Sequence, residues 1–294
     1  MSQPPLSRTR TAHEIELCVS DYDLDATMTS GQVFGWEKTT GCWIGVVNDT
    51  WVSLQPFPGG IRATTATAQD DWTWLLHFLQ THVNLRELLA TFPEDDAHLG
   101  AAVTSCRGLR LLRQSPWECL ASFILSSTKQ IVQIRQIVRT LCTRHGTPVP
   151  TPMEHAAAFA FPSASQIAEL TEADLRACKM GFRAKYLLAA ANRVAAGELQ
   201  LDDLRQLPLS TARDQLTTLP GVGEKIADCV LLFAYGFPTA FPIDVWVARA
   251  LSQFYFRGRR KRPDELRRFA ARHFGPNAGY AQQYLFHHIR TQVG

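Results

Sequence analysis

The spacing of apolar residues changes along the chain from the period of strands to the period of helices, and this change restricts the possible folds most. Residues 43–47 and 51–54 are short β-rich runs around the turn sequence 48–50, and 61–64 is a third such run. From residue 70 the apolar residues recur at helical spacing. From residue 113 the pattern predicts helices separated by short breakers, over 117–127, 128–145, 154–160, 164–169, 172–179, 183–196, 210–218, 224–235, 244–256, 263–273 and 278–291.

This pattern predicts an α+β protein in two parts. A small N-terminal antiparallel β-sheet domain occupies residues 1–112, and an all-helical domain follows over residues 113–294. The 294 residues are 46% hydrophobic and 19% charged, so there is enough apolar material for a proper core. A disordered chain and a collagen-like repeat are therefore excluded.

The net charge of +3 conceals a strong asymmetry between the two parts. Residues 1–112 contain 7 Lys and Arg and 13 Asp and Glu, which gives −6; residues 113–294 contain 23 and 14, which gives +9. The basic run 257–262 is the densest cluster of positive charge. Such an asymmetry favours a polyanionic partner, most commonly nucleic acid. Solvated acidic and basic faces, and a solvated basic loop, are the alternatives.

The cysteines and the apolar runs restrict the cofactor and the compartment. None of the seven cysteines forms a C-x-x-C pair, which argues against a zinc ribbon, a redox motif or an iron–sulfur site. We therefore expect no metal ligands. No apolar run of 18 residues occurs, and the first ten residues have no apolar core of a signal peptide. The expectation is a cytoplasmic protein that does not enter a membrane.

A glycine-rich turn between two predicted helices points to a phosphate-binding site. In Leu219-Pro220-Gly221-Val222-Gly223, the two glycines permit positive φ and let the backbone approach a ligand closely. The N–H groups that open the next helix form an anion site. Such a turn can hold a DNA phosphate without reading any base. An ordinary turn between two helices is the alternative.

Lys225 and Asp244 are the candidate catalytic residues. Lys225 lies in the first turn of the helix after the glycines, where the helix dipole disfavours its charge and favours the neutral amine. A neutral amine is the form that attacks to make a Schiff base. Asp244, nineteen residues later, could stabilise a cationic sugar transition state. The alternatives are a surface lysine and a helix N-cap.

Five parts of the chain carry motifs in a fixed order. They are S-G-Q-V-F-G-W at 30–36, F-I-L-S-S at 123–127, M-G-F-R-A-K-Y at 180–186, L-P-G-V-G-E-K at 219–225 with P-I-D at 242–244, and G-Y-A-Q-Q-Y-L-F at 279–286. This set resembles the helix-hairpin-helix DNA glycosylase superfamily and, within it, the 8-oxoguanine DNA glycosylases with lyase activity. The resemblance extends over most of the chain. It implies a TBP-like N-terminal sheet followed by a helix-hairpin-helix glycosylase domain.

The resemblance also implies how a damaged base is attacked and recognised. Lys225 attacks C1′ of the flipped nucleotide, expels the base and leaves an imine that undergoes β-elimination, while Asp244 supports the transition state. The flipped purine lies between Cys229 and Phe286, Gln282 binds its Watson–Crick edge, and the carbonyl of Gly31 accepts the N7–H that guanine lacks. Without the resemblance, Cys229 and Phe286 are most simply core residues, Gln282 is exposed, and Gly31 is a turn glycine.

Contacts with DNA are implied at several further positions. Phe182 corresponds to an aromatic wedge, and Arg183 to an arginine directed at the orphaned cytosine. Two positions depart from the eukaryotic pattern. Thr128 begins a Thr-Lys-Gln sequence where that pattern has consecutive asparagines, and Trp246 replaces a histidine that touches a phosphate. These changes affect specificity for the opposite base and affinity more than catalysis.

Together these features predict a glycosylase and β-lyase that removes oxidised purine, foremost 8-oxoguanine, from duplex DNA. We expect a monomer that needs no cofactor, although the hairpin around Gly221 and Gly223 can hold a structural monovalent cation. It acts at the nucleoid in a bacterium or in the nucleus of a eukaryote. The alternatives are a glycosylase for alkylated bases, which typically lacks the lysine, and a non-catalytic helix-hairpin-helix module that only binds DNA.

Overall fold

The computed structural model describes residues 7–10, 12–127 and 129–293 and has the predicted α+β architecture. In the described part of the chain, the N-terminal sheet has six antiparallel strands in the order β1-β2-β6-β5-β4-β3. Their bounds are β1 Ser7–Arg10, β2 Glu14–Cys18, β3 Glu37–Thr39, β4 Cys42–Val47, β5 Thr50–Phe57 and β6 Gly60–Thr65.

Alternation of inward and outward side chains builds the sheet. Along β4 and β6 every second residue is buried, as expected for a sheet covered on one face. The tight turn between β4 and β5 places Asn48 at a φ of 58°, a conformation that asparagine tolerates. Gly45 in β4 leaves room for the Trp36 ring, because a Cβ there would lie 2.4 Å from Trp36 Cδ2. The sheet core therefore depends on both residues.

Helices surround the sheet edge and form the rest of the chain. α1 lies between β2 and β3, α2–α4 follow the sheet, and a short strand pair interrupts the later helices. The bounds are α1 Leu24–Thr29, α2 Thr73–Leu79, α3 Leu85–Leu89, α4 Ala97–Ser105, α5 Pro116–Leu125, α6 Ile131–His145, β7 Pro148–Val149, β8 Ala158–Phe159, α7 Ala164–Ala168, α8 Glu172–Ala177, α9 Ala184–Ala195, α10 Leu209–Thr217, α11 Glu224–Val230, α12 Val245–Tyr255, α13 Pro263–His273 and α14 Ala278–Val293.

Two predicted helical segments differ from the structure. The helix predicted over 154–160 is wrong: β8 pairs with β7 there, and the Ala160 N–H donates to the Thr147 carbonyl over 2.9 Å. A short stretch of alanines suits either structure, and this pairing decides the outcome. α6 begins at Ile131 and not at 128, because Gln130 and Gln133 form a reciprocal cap.

The helical core extends across residue 112. Leu99 and Ala102 of α4 and Leu109 pack in the same buried cluster as the later helices, whereas Leu112 packs with the sheet. The Tyr284 hydroxyl on α14 donates to the Leu109 carbonyl over 3.1 Å. The buried apolar residues among 85–111 therefore pack with the helical part. The division into domains 1–112 and 113–294 stays a prediction.

Asp96 joins this N-terminal segment to the later helices. Its carboxylate caps α4 by accepting the Leu99 N–H over 2.9 Å. It also accepts the Tyr255 hydroxyl over 2.8 Å and lies 2.7 Å from His273 Nε2. Burial alone would raise the pKa of Asp96, but these hydrogen bonds and the histidine charge outweigh it, and the pKa is lowered. None of the described helices is long and apolar enough to cross a membrane.

Candidate active site

The hairpin between α10 and α11 has the geometry of a close-approach turn. The Val222 N–H donates to the Leu219 carbonyl over 3.1 Å, which closes the turn. Gly221 has a φ of +80°, and a Cβ there would lie 2.5 Å from Tyr186 Cγ, so only glycine fits. Gly223 is different: its backbone is extended, it begins α11, and a Cβ on it would point into open space. Both glycines are exposed, as a phosphate contact requires.

A buried ion pair fixes α11 beside its neighbours. The Asp228 carboxylate is fully buried and accepts from Arg213 Nε of α10 over 2.7 Å. Arg267 of α13 lies on the other side of this carboxylate, with its Nε 3.8 Å from Oδ2. Burial raises the pKa of Asp228, and the two arginines oppose this shift. α11 is thereby held between α10 and α13.

Lys225 lies at the second position of α11, with a half-buried side chain. Its amine donates to the Ser126 hydroxyl over 3.3 Å and lies 5.2 Å from the centre of the Phe123 ring. Among the described residues, no carboxylate forms an ion pair with this amine. The nitrogen is therefore held by a neutral partner at the end of α5. Ser126 has no distinguishing signal in the sequence beyond the motif that contains it.

Asp244 is the N-cap of α12, as its position before an apolar helix predicts. Its Oδ1 accepts the Val247 N–H over 2.8 Å. Burial raises the pKa of Asp244, while the backbone hydrogen bonds at Val247 and Trp246 and the charges of Lys225 and Arg290 lower it. The carboxylate is thus both a cap and a charge close to the candidate nucleophile.

Cys229 lies one turn after Lys225 on the same face of α11. It is 4% exposed, and burial raises the pKa of its thiol to about 12, although the Lys225 charge opposes this. Immediately after it, the segment Leu231–Tyr235 widens into a π-helical turn, a feature that often marks functional sites. A small, uncharged sulfur here is a suitable apolar wall for a flat base.

Gln282 and Phe286 lie four residues apart on α14 and so share one face. Gln282 is only 3% exposed, and its Oε1 is a buried atom with no hydrogen-bond partner in the described part of the chain. Native proteins rarely leave such an acceptor unpaired. The Phe286 ring approaches Gly31, since its Cε1 lies 3.3 Å from where a Cβ on Gly31 would be. The unpaired Gln282 acceptor and the Phe286 ring therefore lie on the same face of α14.

Gly31 follows α1 at a φ of +80°. The neighbouring backbone carbonyls accept hydrogen bonds from side chains, whereas the Gly31 carbonyl accepts none within the described part of the chain. Among the described residues, no donor reaches the Gly31 carbonyl. The carbonyls of Met28, Thr29, Ser30 and Gln32 accept from Arg135, Arg290, Gln283 and Gln114 respectively. These four supporting side chains had no sequence signal.

The candidate DNA-binding residues lie near the hairpin. Phe182 is 49% exposed and packs edge-on against Tyr186, the residue under Gly221. Arg183 is buried and folded back: its guanidinium lies 4.4 Å from the Phe182 ring centre and donates to the Ser127 carbonyl. Because the Arg183 side chain is folded back, a contact with an opposite base requires it to swing outward.

Trp246 lies half-buried in the first turn of α12, beside Asp244. Thr128 lies outside the described residues. The basic run 257–262 connects α12 to α13 and is exposed. Lys261 and Arg262 form ion pairs with Glu265, which leaves less of the positive charge of this loop available to a partner. Within the described residues no group of three or more His, Cys, Asp and Glu could hold a metal ion.

Two protein-family models match the chain. The family model described as 8-oxoguanine DNA glycosylase, N-terminal domain, matches residues 14–120, and that of the HhH-GPD superfamily base excision DNA repair proteins matches residues 121–276. An N-glycosylase/DNA lyase of Arabidopsis thaliana is 31% identical over 92% of this chain and 78% of its own length. A probable N-glycosylase/DNA lyase of Methanothermobacter thermautotrophicus is 30% identical over 92% of this chain and 95% of its own length.

The solved structures give the same answer for the fold. The 8-oxoguanine glycosylase/lyase of Clostridium acetobutylicum, in complex with double-stranded DNA containing cytosine opposite 8-oxoguanine, is 27% identical and superimposes with a TM-score of 0.93. Each chain is covered in full. The N-terminal sheet and the helical domain thus occur together in one family fold. The chain belongs to the 8-oxoguanine DNA glycosylase family of the HhH-GPD superfamily of base excision DNA repair proteins.

Proposed function

We propose that this protein flips 8-oxoguanine out of duplex DNA, removes it with Lys225 as nucleophile, and then cleaves the strand. Membership of the family makes it a DNA glycosylase with associated lyase activity. The observation that carries the residue assignment is the Lys225 amine itself. It is half-buried, it is held by the neutral Ser126 hydroxyl, and it lies within reach of the charge of Asp244.

The chemistry follows from these groups. The Lys225 nitrogen forms a bond to C1′ as the bond from C1′ to the base breaks, and the base leaves with that electron pair and takes up a proton. Loss of a proton from nitrogen and opening of the sugar give the imine. Removal of a C2′ proton then expels the 3′ phosphate. The Asp244 carboxylate stabilises the positive charge that develops on the sugar.

Recognition of the base uses the pocket residues. The purine lies between Cys229 and Phe286, and the unpaired Gln282 Oε1 accepts from the N–H groups of its Watson–Crick edge. The open carbonyl of Gly31 accepts the N7–H of 8-oxoguanine. Guanine has a lone pair at N7, so this acceptor would be buried without a donor, and guanine is rejected.

Contacts to the rest of the duplex come from the other predicted residues. Phe182 wedges into the stack, and Arg183, once extended, together with Thr128 faces the orphaned base. Gly221 and Gly223 bring backbone N–H groups to a phosphate, and Trp246 packs near the lesion. We propose that the protein acts as a monomer at the nucleoid or in the nucleus, where its substrate is.

The chemistry proposed here uses only side chains of the protein. A monovalent cation at the hairpin is a compatible structural addition. The carbonyls of Pro220, Gly221 and Val222 accept no hydrogen bond from the described residues, whereas those of Leu219 and Gly223 do. Hard cations prefer such oxygen ligands. The cation would connect the hairpin to a DNA phosphate and take no part in bond breaking.

Borohydride trapping on duplexes with one 8-oxoguanine tests the proposal. The wild-type protein should form a lesion-dependent covalent adduct and none with undamaged guanine. Lys225→Gln should form no adduct yet bind the duplex, because an amide cannot form the imine. Undiminished strand cleavage by this variant would refute the nucleophile assignment.

The same experiment with each of the four bases opposite the lesion measures the selectivity at the position of Thr128. Equal trapping opposite all four bases would show that preference for cytosine is relaxed. Binding without any adduct would leave a protein that acts on a different lesion or only binds DNA. Excision of an alkylated base in place of 8-oxoguanine would assign the other substrate class.

A further inference from the structure

Arg290 continues the row of pocket residues along α14. Gln282, Phe286 and Arg290 are spaced by four and therefore lie on one face of the helix. At 1.5 Å per residue, the row is about 12 Å long, enough to extend past both ends of a purine. Gln282 Oε1 at one end and Arg290 Nη1 at the other are both buried atoms without a hydrogen-bond partner in the described part of the chain.

The two ends of the Arg290 guanidinium have different surroundings. Nη2 donates to the Thr29 carbonyl at the end of α1. The guanidinium carbon lies 5.2 Å from the centre of the Phe286 ring. Nη1 lies 3.3 Å from the position that a Cβ on Gly31 would occupy. One nitrogen thus supports the loop, while the other lies beside Gly31 without a hydrogen-bond partner among the described residues.

A buried donor nitrogen without an acceptor is costly, above all on a cation. A charged group that leaves water without replacing its hydrogen bonds destabilises the folded protein. Burial and the neighbouring Arg135 charge lower the pKa of Arg290, and the Asp244 charge opposes them. No acceptor among the described residues forms a hydrogen bond with Nη1, so an acceptor atom on a bound ligand is the partner that the geometry allows.

We propose that Arg290 is a specificity-determining residue, whose Nη1 donates a hydrogen bond to O8 of the flipped 8-oxoguanine. The inference rests on the proposed function. With Gln282 at the Watson–Crick edge, the other end of the row meets the imidazole ring of the purine, where O8 is adjacent to N7–H. Gly31 and Arg290 then present an acceptor beside a donor, which matches N7–H beside C8=O. Guanine has a lone pair and a C–H at these two positions.

Arg290→Met tests this contact, with Arg135→Met as the matched control. Arg135 on α6 also donates to a carbonyl at the end of α1, that of Met28, over 2.9 Å, and it also has a buried unpartnered nitrogen. Both variants therefore lose a half-buried arginine that supports the same loop. Single-turnover excision of 8-oxoguanine and strand cleavage at a preformed abasic site are measured for each variant, together with thermal unfolding.

Arg290→Met should slow 8-oxoguanine excision about 10- to 100-fold, the size expected for one hydrogen bond to a charged donor. Its cleavage at an abasic site, which has no base to recognise, should stay within about threefold of the wild type. The loss of excision rate in Arg135→Met should be at least tenfold smaller than the loss in Arg290→Met. Arg290→Lys, which keeps a donor, should recover part of the loss. Equal losses in the two methionine variants, or equal losses on the two substrates, would overturn the proposal.

The pH profile separates this contact from an effect of Arg290 on Asp244. Loss of the contact lowers the excision rate at every pH, including the plateau above the acid limb. If Arg290 acted only through its charge, its removal would raise the pKa of Asp244 further and move the acid limb to higher pH. Failure of the wild-type protein to excise 8-oxoguanine at all would refute the proposed function and not this assignment alone.

Discussion

Asp244 both caps α12 and carries a charge close to Lys225, and two substitutions separate these contributions. Asp244→Asn keeps an oxygen that can accept from the Val247 N–H, so the stability should stay within about 0.5 kcal/mol of the wild type, since Asn and Asp cap equally well. The charge is lost, so base excision should slow about 100- to 1,000-fold, as for loss of one electrostatic stabiliser. Asp244→Ala should slow excision similarly and also cost about 1 kcal/mol.

Urea unfolding and single-turnover excision on the same preparations measure the two effects. Asp244→Asn that unfolds like Asp244→Ala, or that excises at the wild-type rate, would contradict the separation. Asp244→Asn should also lose the acid limb of the excision profile. Burial raises the pKa of this carboxyl, so the wild-type limb should lie above the ordinary aspartate value of about 3.9.

Single residues also show how far sequence can predict a site. The hairpin glycines and Lys225 could be selected because they break a local helical preference, and Asp244 because it follows Lys225 by nineteen residues and precedes an apolar helix. Gln282 could not be selected in this way: without the family resemblance it is simply exposed, whereas it is 3% exposed in the structure. Arg290 and Arg135 gave no signal, since contact between α14, α6 and the end of α1 depends on tertiary packing.

Among the elements, the hairpin between α10 and α11 allows a direct test of its two glycines. Gly221→Ala should lower the stability by about 1–2 kcal/mol or more, because φ is +80° and the new Cβ meets the Tyr186 ring. Gly223→Ala should fold like the wild type, since its φ is −93° and the space around it is open. Its DNA affinity should nevertheless fall if a phosphate approaches the Gly223 backbone closely.

Thermal unfolding gives the first comparison, and fluorescence anisotropy with a duplex that carries an uncleavable abasic analogue gives the second. Wild-type stability of Gly221→Ala would contradict the steric argument. Wild-type affinity of Gly223→Ala, with normal folding, would place the phosphate away from this residue. Because Phe182 packs on Tyr186, Gly221→Ala should also disturb the wedge.

Long, periodic elements were predictable, whereas several of the short ones were not. The observed α13 and the predicted helix 263–273 coincide, because Pro263 begins it and the charged and apolar residues alternate at helical spacing. Strands β1, β2 and β3 and the six-residue α1 have too few residues for a period. β8 lies within the segment 154–160 that was predicted to be a helix, and it pairs with β7. This error arose because a strand's partner is not visible in the local sequence.

At the scale of the molecule, Asp96 connects α4 to α12 and α13, and its ionisation should couple stability to pH. The pKa of Asp96 is lower in the folded state than the ordinary value of about 3.9. Its stabilising contribution is therefore complete above that value and is lost as the pH falls through the folded pKa. Asp96→Asn should be about 1–3 kcal/mol less stable at pH 7, with the gap closing in acid.

Urea unfolding of both proteins from pH 3 to pH 8 measures this coupling. A gap that stays constant over the whole range would show that the carboxylate charge does not matter.

The division into a sheet part and a helical part was predictable from the change of period. The core that each residue before position 113 joins was not predictable. Leu99 and Leu109 precede the predicted boundary yet pack with the later helices, and nothing in their own sequence indicates which core they join.

The burial of Cys229 affects how its thiol reacts with oxidants. Oxidants such as peroxide react with thiolate and not with thiol. Burial raises the pKa of the Cys229 thiol to about 12, so this side chain stays in the thiol form at neutral pH. Oxidative stress generates 8-oxoguanine, so the repair enzyme must function while peroxide is present. In the proposed site, the same burial that would make Cys229 a wall for the base also keeps its sulfur in the thiol form, which peroxide does not attack.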